Sequence, residues 1–232
     1  MILVFDLDDT LYEEMAYVRS GFRAVAAYGE REFGLDATKS LENMLAHIAA
    51  HGRGKVFDNW LSTNGGFSRK RVSECMRIYR HHSPEIEMSS STKSLLSTLR
   101  KNFHLYMVTD GHKVVQLKKV DALELKAVFK RIFFTHRFGL VNSKPSLHCF
   151  DIIRRVERVS WSDIVYVGDN PFKDFVNLNL IGAKTIRVRT GSYSKVVVSS
   201  VYDGALNIDT LDDLPTALLT VKPHVALNRT GQ

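Results

Sequence analysis

The sequence predicts an α/β protein, a doubly wound and mainly parallel sheet with a small α-helical cap domain inserted after the first strand. Two observations carry this. Short, nearly continuous apolar runs stand at 2–6, 103–109, 132–135, 163–168 and 184–188, the pattern of strands buried on both faces of a parallel sheet. Helical patterns separate the later runs, whereas 13–88 holds amphipathic helical patterns and no strand.

Taken in order, Met1-Ile-Leu-Val-Phe5 reads as the first buried strand, and Thr10-x-x-Glu13 has the spacing of a capping box that starts a helix. Three helices are expected in the insert. Val18, Phe22 and Val25 share one face, Leu41, Leu45 and Ile48 a second, and Val72, Cys75 or Met76, and Tyr79 a third. Gly52 suits the end of the second helix and Ser68 the cap of the third. Ser83-Pro84 and the polar run from Ser89 to Thr92 carry the chain back. Helical patterns follow at 92–101, 112–130 and 146–158, and Asn170-Pro171 sets up one more, with proline at the first helical position. The expected division is a Rossmann-like core, 1–12 and 89–232, and a helical cap domain, 13–88. The last ten residues are expected to be loose.

Bulk properties narrow the class. At 232 residues, 44% apolar and 25% charged, the chain can bury an ordinary globular core. The apolar start is short, lacks a basic leader and runs into acids, unlike a secretory signal, and no run reaches the ~20 residues of a membrane span. Cys75 and Cys149 fall in helical patterns as small core residues, so a reducing cytoplasm is expected. Lys and Arg outnumber Asp and Glu by 32 to 25, but they are scattered, without the basic stripe and interleaved aromatics of a nucleic-acid surface. A dispersed positive field also suits a small anionic substrate.

The chemistry concentrates at strand ends. Asp6 and Asp8, two apart, project together from the end of the first strand. The second strand ends in Thr109-Asp110-Gly111, a later loop carries Lys144-Pro145, and the fourth strand runs into Gly168-Asp169, with Asp174 in GDNPFKD. Parallel strands place these ends along one edge, where open α/β sheets bind ligands. Asp6, Asp8, Asp169 and Asp174 converging there would repel one another unless a cation held them, and hard oxygen ligands with room for water suit Mg²⁺.

The order DxDDT, a strand ending in Thr, Lys-Pro and GDxxxxD resembles the four motifs of the haloacid dehalogenase-like (HAD) superfamily of hydrolases. The resemblance covers about 1–10 and 90–215, and the insert resembles the cap of one subgroup. It implies a Mg²⁺-dependent phosphatase acting on a small phosphorylated metabolite such as a sugar phosphate, with Asp6 as nucleophile forming an aspartyl-phosphate. It further implies that Asp6 and Asp169 ligate the metal through side chains and Asp8 through its backbone carbonyl. Asp174 would either hold a metal-bound water or orient Lys144. Asp8 would act as acid and then base, Thr109 and the backbone N–H groups near Asp110 and Gly111 would hold the phosphate, and Lys144 would neutralise Asp6 and grip the phosphate. Asp9 would support the loop by hydrogen bonds. Asp110 stands where many relatives have Asn and is expected to turn away into the helix cap.

Asp8 separates branches of the family, since dehalogenases and phosphonate-cleaving members lack an acid two positions after the nucleophile. A phosphomutase of the same superfamily is the alternative within the class, and a basic nucleic-acid-binding or regulatory protein on a hydrolase fold the alternative outside it. The ion-pumping ATPases differ in their first motif and need membrane spans. Monomer and homodimer both stay open. The His51-Gly-Arg-Gly-Lys55 loop either reaches over the site or is a solvated turn, and Arg69-Lys70-Arg71 reads as a solvated helix face. His81-His82 reads as a hinge between cap and core, and His104 and His148 lack metal-ligand spacing.

Overall fold

The structure, a computed structural model, describes residues 1–221; the ten residues expected to be loose lie outside the described residues. Six strands, β1 (Ile2–Phe5), β2 (His104–Thr109), β3 (Arg131–Phe134), β4 (Ile164–Gly168), β5 (Lys184–Val188) and β6 (Leu206–Ile208), form one sheet in the order β3-β2-β1-β4-β5-β6. Every pairing is parallel, so the sheet is parallel throughout. β1 is central: Val4 lies level with Tyr106 on one side and Tyr166 on the other. All four of its residues are buried, which explains its unbroken apolar sequence.

The two faces of the sheet bury separate clusters. Leu3 and Phe5 face Met107, Val165 and Val167 together with Leu96 and Leu99 of α5 (Ser90–Leu99), Val120 of α6 (Lys113–Ala122) and Leu214 and Leu218 of α9 (Leu214–Val221). Ile2 and Val4 face Tyr106, Val108 and Tyr166 together with Phe150 and Ile153 of α7 (His148–Glu157) and Leu178 of α8 (Val176–Leu180). Alternate strand residues thus meet helices on opposite faces, as a doubly wound sheet requires.

Four helices, not three, lie between β1 and α5: α1 (Glu14–Phe33), α2 (Ala37–His51), α3 (Val56–Thr63) and α4 (Arg69–His81). They gather around a cluster of their own, in which Val18, Phe22 and Val25 meet Met44, Phe57, Trp60, Leu61 and Cys75. Helix α3 escapes a periodicity search because eight residues make little more than two turns. Gly52 does end α2, and the Ser68 side chain does cap α4 by accepting from the Arg71 N–H at 3.2 Å.

Other local expectations fail for identifiable reasons. There is no capping box at Thr10-x-x-Glu13. Instead the Asp9 carboxylate accepts the Glu14 N–H at 2.8 Å, and the Thr10 hydroxyl donates to Asp169 at 3.4 Å. The 112–130 pattern breaks after α6, where Glu124 takes a left-handed conformation and a short 3₁₀ turn follows at Leu125–Ala127. Pro171 does not open a helix, because Asn170 folds the chain into a turn and α8 starts only at Val176. Strand β6 and helix α9 are additional to the expected elements; the three residues of β6 are too few for a strand pattern to show.

At the sheet edge opposite the acids, Glu157 at the end of α7 accepts from Lys130 Nζ at 2.8 Å and from the Tyr106 hydroxyl, and lies 2.9 Å from His104 Nδ1. Burial works against its charge, but these bonds hold its carboxyl down at about 2, below the ordinary 4.5. A depressed carboxyl stabilises the fold above its unfolded value and loses that contribution as pH falls through the folded one. Glu157→Gln should therefore cost about 1–3 kcal/mol at neutral pH. Thermal melts across pH should show that gap closing between about 4.5 and about 2; a gap independent of pH would contradict the assignment.

Candidate active site

Strand order reverses between β1 and β4, because the chain leaves β1 toward β2 and β3 and then returns to β4 on the other side. Helices diverge from such a point and leave a crevice at the C-terminal ends of the strands. Asp6 enters it directly after β1, its N–H still bonded to the Val167 carbonyl at 2.9 Å, and Asp169 enters it directly after β4. One carboxylate oxygen from each of Asp6, Asp169 and Asp174 lies within 4.8 Å of the others, and all three residues are buried.

Lys144 is the cation buried with them. Its Nζ stands 2.8 Å from Asp6 Oδ1 and 2.7 Å from Asp174 Oδ1, and it donates to the Tyr166 hydroxyl at 2.8 Å. Tyr166 in turn donates to Asp174 at 3.1 Å, and the Asn170 N–H donates to the other Asp174 oxygen at 2.9 Å. Gly168 makes room for that carboxylate, since a Cβ there would sit 2.6 Å from Asp174 Oδ2. Burial disfavours the charge on Lys144, yet Asp174 and Asp6 hold it protonated well above the usual lysine range.

One lysine does not balance three acids. Burial pushes Asp6 up to about 6 against the pull of Lys144. Burial together with the charges of Asp6 and Asp174 pushes Asp169 up to about 9. A group of carboxylates that takes up protons in the absence of other charge is a group suited to a cation. Buried, all-oxygen and open to a chamber of about 300 Å³, it fits Mg²⁺, with Asp6 and Asp169 facing the chamber.

Asp8 faces different partners. Its carboxylate accepts from Lys119 Nζ at 2.6 Å, the Tyr12 hydroxyl at 2.7 Å and Gln116 Nε2 at 2.8 Å. Burial alone would raise it, but Lys119 and these bonds hold it below the usual carboxylate range. Gln116 also donates to the Thr109 hydroxyl at 2.7 Å, linking the two strand ends. Lys119 lies 3.7 Å from Glu14, which receives both terminal nitrogens of Arg53 at 2.8 and 2.5 Å. The loop between α2 and α3 thus does reach the site.

The remaining expected residues divide. Asp6, Asp8, Asp110 and Asp169 line the one chamber, with Lys173 and Arg53 on its wall; Asp174 and Lys144 lie packed behind it. Thr109 is buried against Gln116, and Gly111 borders an adjoining cavity. Asp9 supports the loop as expected, accepting from Glu14 N and Ser192 N, and Gly191 passes so close that a Cβ would overlap its carboxylate. Asp110 does not turn into the helix cap. It accepts the Thr135 hydroxyl at 2.6 Å and the Lys144 N–H at 3.1 Å, which ties the lysine-bearing loop to the end of β2.

Sequence reasoning missed Tyr12, Glu14, Gln116, Lys119, Tyr166 and Lys173. Gln116 and Lys119 did leave a signal, two polar residues one turn apart on the face of α6 that also carries Val120 and turns inward. Lys173 stood in view inside GDNPFKD; its Nζ lies 3.6 Å from Asp110 Oδ2. Tyr166 left none, because a tyrosine inside an apolar strand reads as core.

Residues 3–188 match the family described as haloacid dehalogenase-like hydrolase. A glyceraldehyde 3-phosphate phosphatase of Methanocaldococcus jannaschii is 25% identical over 213 residues, covering 88% of this chain and 92% of that one. Among solved structures, a HAD-hydrolase of Bacillus subtilis, YfnB, bound to magnesium, superposes with a TM-score of 0.70 at 20% identity, over 94% of this chain and 97% of that one. A 2-haloacid dehalogenase of Pseudomonas syringae gives 0.65 at 20% identity, over 96% and 100%. The shared fold therefore spans more than one chemistry. Among the described residues no helix is long and apolar enough to cross a membrane.

Adding Mg²⁺ should raise the melting temperature, because a ligand that binds only the folded state stabilises it. Asp169→Asn should abolish that shift while melting, in chelator, close to the wild-type temperature, since a carboxyl pushed up to about 9 is already protonated near neutral pH and the amide replaces it without losing a charge. A Mg²⁺ shift that survives Asp169→Asn would place the cation elsewhere.

Proposed function

The chain belongs to the haloacid dehalogenase-like hydrolase family, and from that premise we propose that it hydrolyses the phosphate monoester of a small metabolite, with Mg²⁺ and through an aspartyl-phosphate. The observation that carries the reading is the pair of acids two residues apart in opposite surroundings. Asp6 sits with Lys144, Asp169 and Asp174, and Asp8 with Lys119, Gln116 and Tyr12. Two carboxyl groups in unlike environments are what a nucleophile and a separate proton carrier need.

Bound between Asp6 and Asp169, Mg²⁺ would offset the repulsion between a carboxylate and a phosphate and polarise the phosphoryl oxygen. Support for the metal comes from the buried carboxylate cluster and from the magnesium in the Bacillus structure.

In the proposed reaction Asp6 Oδ attacks phosphorus in line, a bond forms between them, and the bond from phosphorus to the ester oxygen breaks. The departing oxygen takes a proton from Asp8. Lys119 holds Asp8 anionic in the free protein, and the arrival of an anionic phosphate beside it favours the proton it must carry. Asp8 then accepts a proton from water as that water attacks the same phosphorus, which frees inorganic phosphate and restores Asp6. Lys144 fixes the Asp6 carboxylate. The backbone N–H groups around Asp110 and Gly111 would hold phosphate oxygens, and Thr109, whose hydroxyl oxygen already accepts from Gln116, keeps its own proton to donate. The Methanocaldococcus relative's name makes sugar phosphates the first ester class to test.

Phosphate release from a panel of phosphorylated metabolites, measured with Mg²⁺ and with chelator, tests the reading. Release should require the metal and vanish in Asp6→Asn. Asp8→Asn should lower kcat by about 10²–10⁴ and, because it strips the buried Lys119 of its carboxylate, also lower the melting temperature. Halide release from haloacids, or undiminished turnover by Asp6→Asn, would refute it.

A further inference from the structure

A second cavity, of about 310 Å³, adjoins the acid chamber and lies between α1, α3, α4 and α6. The two share Asp8, Glu14, Arg53 and Asp110 on their linings, so they meet at the carboxylate proposed to protonate the departing oxygen. Whatever the phosphate is attached to must enter this second space. Its volume falls at the low end of small-molecule sites, which run from about 300 to 1,000 Å³.

Between the polar residues, much of its wall is apolar. Val18 and Phe22 come from α1, Val56 and Phe57 from α3, Met76 from α4 and Val115 from α6. The polar groups nearest Asp8 already serve one another: Glu14 is taken by Arg53, Gln116 by Asp8 and Thr109, and Lys119 by Asp8. Of the other polar residues of the lining, Lys55 and His112 are exposed to solvent, Tyr17 donates to the Tyr79 carbonyl at 3.3 Å, and Asp58 and the Tyr79 hydroxyl have no hydrogen-bond partner among the described residues. A hydroxyl pressed against Phe22 or Phe57 would give up water and find at most the hydroxyl of Tyr79, whose ring packs on both, whereas a ring or a branched chain there would release water from apolar surface at no such cost.

We infer that the ester this protein hydrolyses carries an aromatic or branched aliphatic body next to its phosphate, and that this body fills the cavity between the helical lobe and α6. The inference rests on the phosphatase reading of the Asp6 site and narrows its substrate. A bare triose would leave the apolar walls wet.

Calorimetric titration of the Mg²⁺-loaded protein with inorganic phosphate, benzylphosphonate and 2,3-dihydroxypropylphosphonate tests it, because none of the three can be hydrolysed. Benzylphosphonate should bind at least about tenfold tighter than the dihydroxypropyl compound, with a more negative heat-capacity change. Val115→Phe and Met76→Trp, made separately at two partly exposed positions, should each shrink that preference toward unity and leave the affinity for inorganic phosphate unchanged. Equal affinities for the two phosphonates, or a benzyl preference undiminished in both variants, would overturn the inference. Phosphate release from benzyl phosphate and glycerol phosphate, followed in parallel, separates the two ideas. Release from both at equal rates, with equal phosphonate affinities, overturns the cavity assignment alone. A persisting benzyl preference with no release from any ester overturns the phosphatase reading and upholds the cavity's selectivity.

Discussion

The structure turns on an excess of buried negative charge at the point where the strand order reverses. Asp6, Asp169 and Asp174 meet there with one lysine among them. Three buried carboxylates beside one ammonium would cost far more than any packing around them returns. Much of the neighbouring chain is organised around that cost. Lys144 is drawn in from a distant loop, Asp110 ties the loop down, Tyr166 and the Asn170 N–H satisfy Asp174, and Gly168 leaves space for it. What these groups leave uncompensated sits between Asp6 and Asp169, on the side that faces the chamber.

A second consequence follows from two-residue spacing at the end of a strand. Asp6 and Asp8 start from the same side of β1, but the chain leaves the ladder after Phe5, and Asp8 swings toward α6. There Lys119 and Gln116 replace Lys144 and the other acids, so two identical side chains acquire opposite tendencies, one pushed up and one held down. From Asp8 the charges continue through Lys119 and Glu14 to Arg53, in the loop between α2 and α3. This chain of contacts connects the helical lobe to Asp8, and the second cavity opens beside it.

The sheet and the acids were legible in the sequence because each rests on strong local rules. Five of six strands announce themselves as apolar runs, Asp6 stands out as a carboxylate at the end of a buried strand, and Asp169 and Asp174 stand out through GDNPFKD after β4. What stayed hidden was set by tertiary contact. Thr10 and Glu13 have the spacing of a capping box, yet Asp9, with support from the distant Ser192 N–H, takes over the helix start. Asp110 reads as a helix cap until the Lys144 loop packs on it. Helix α3 and strand β6 are too short for periodicity to register. Lys119, on a helix with several lysines, looks like a surface residue until α1 and β1 bury it.

The most direct measurement of whether the buried acids form a cation site is an anomalous difference map from crystals soaked in Mn²⁺, which shares the oxygen preference of Mg²⁺ and scatters strongly enough to be located. A single dominant peak within coordination distance of the Asp6 and Asp169 carboxylates is the predicted result. A map that is empty there while Mn²⁺ appears at other carboxylates would contradict the account.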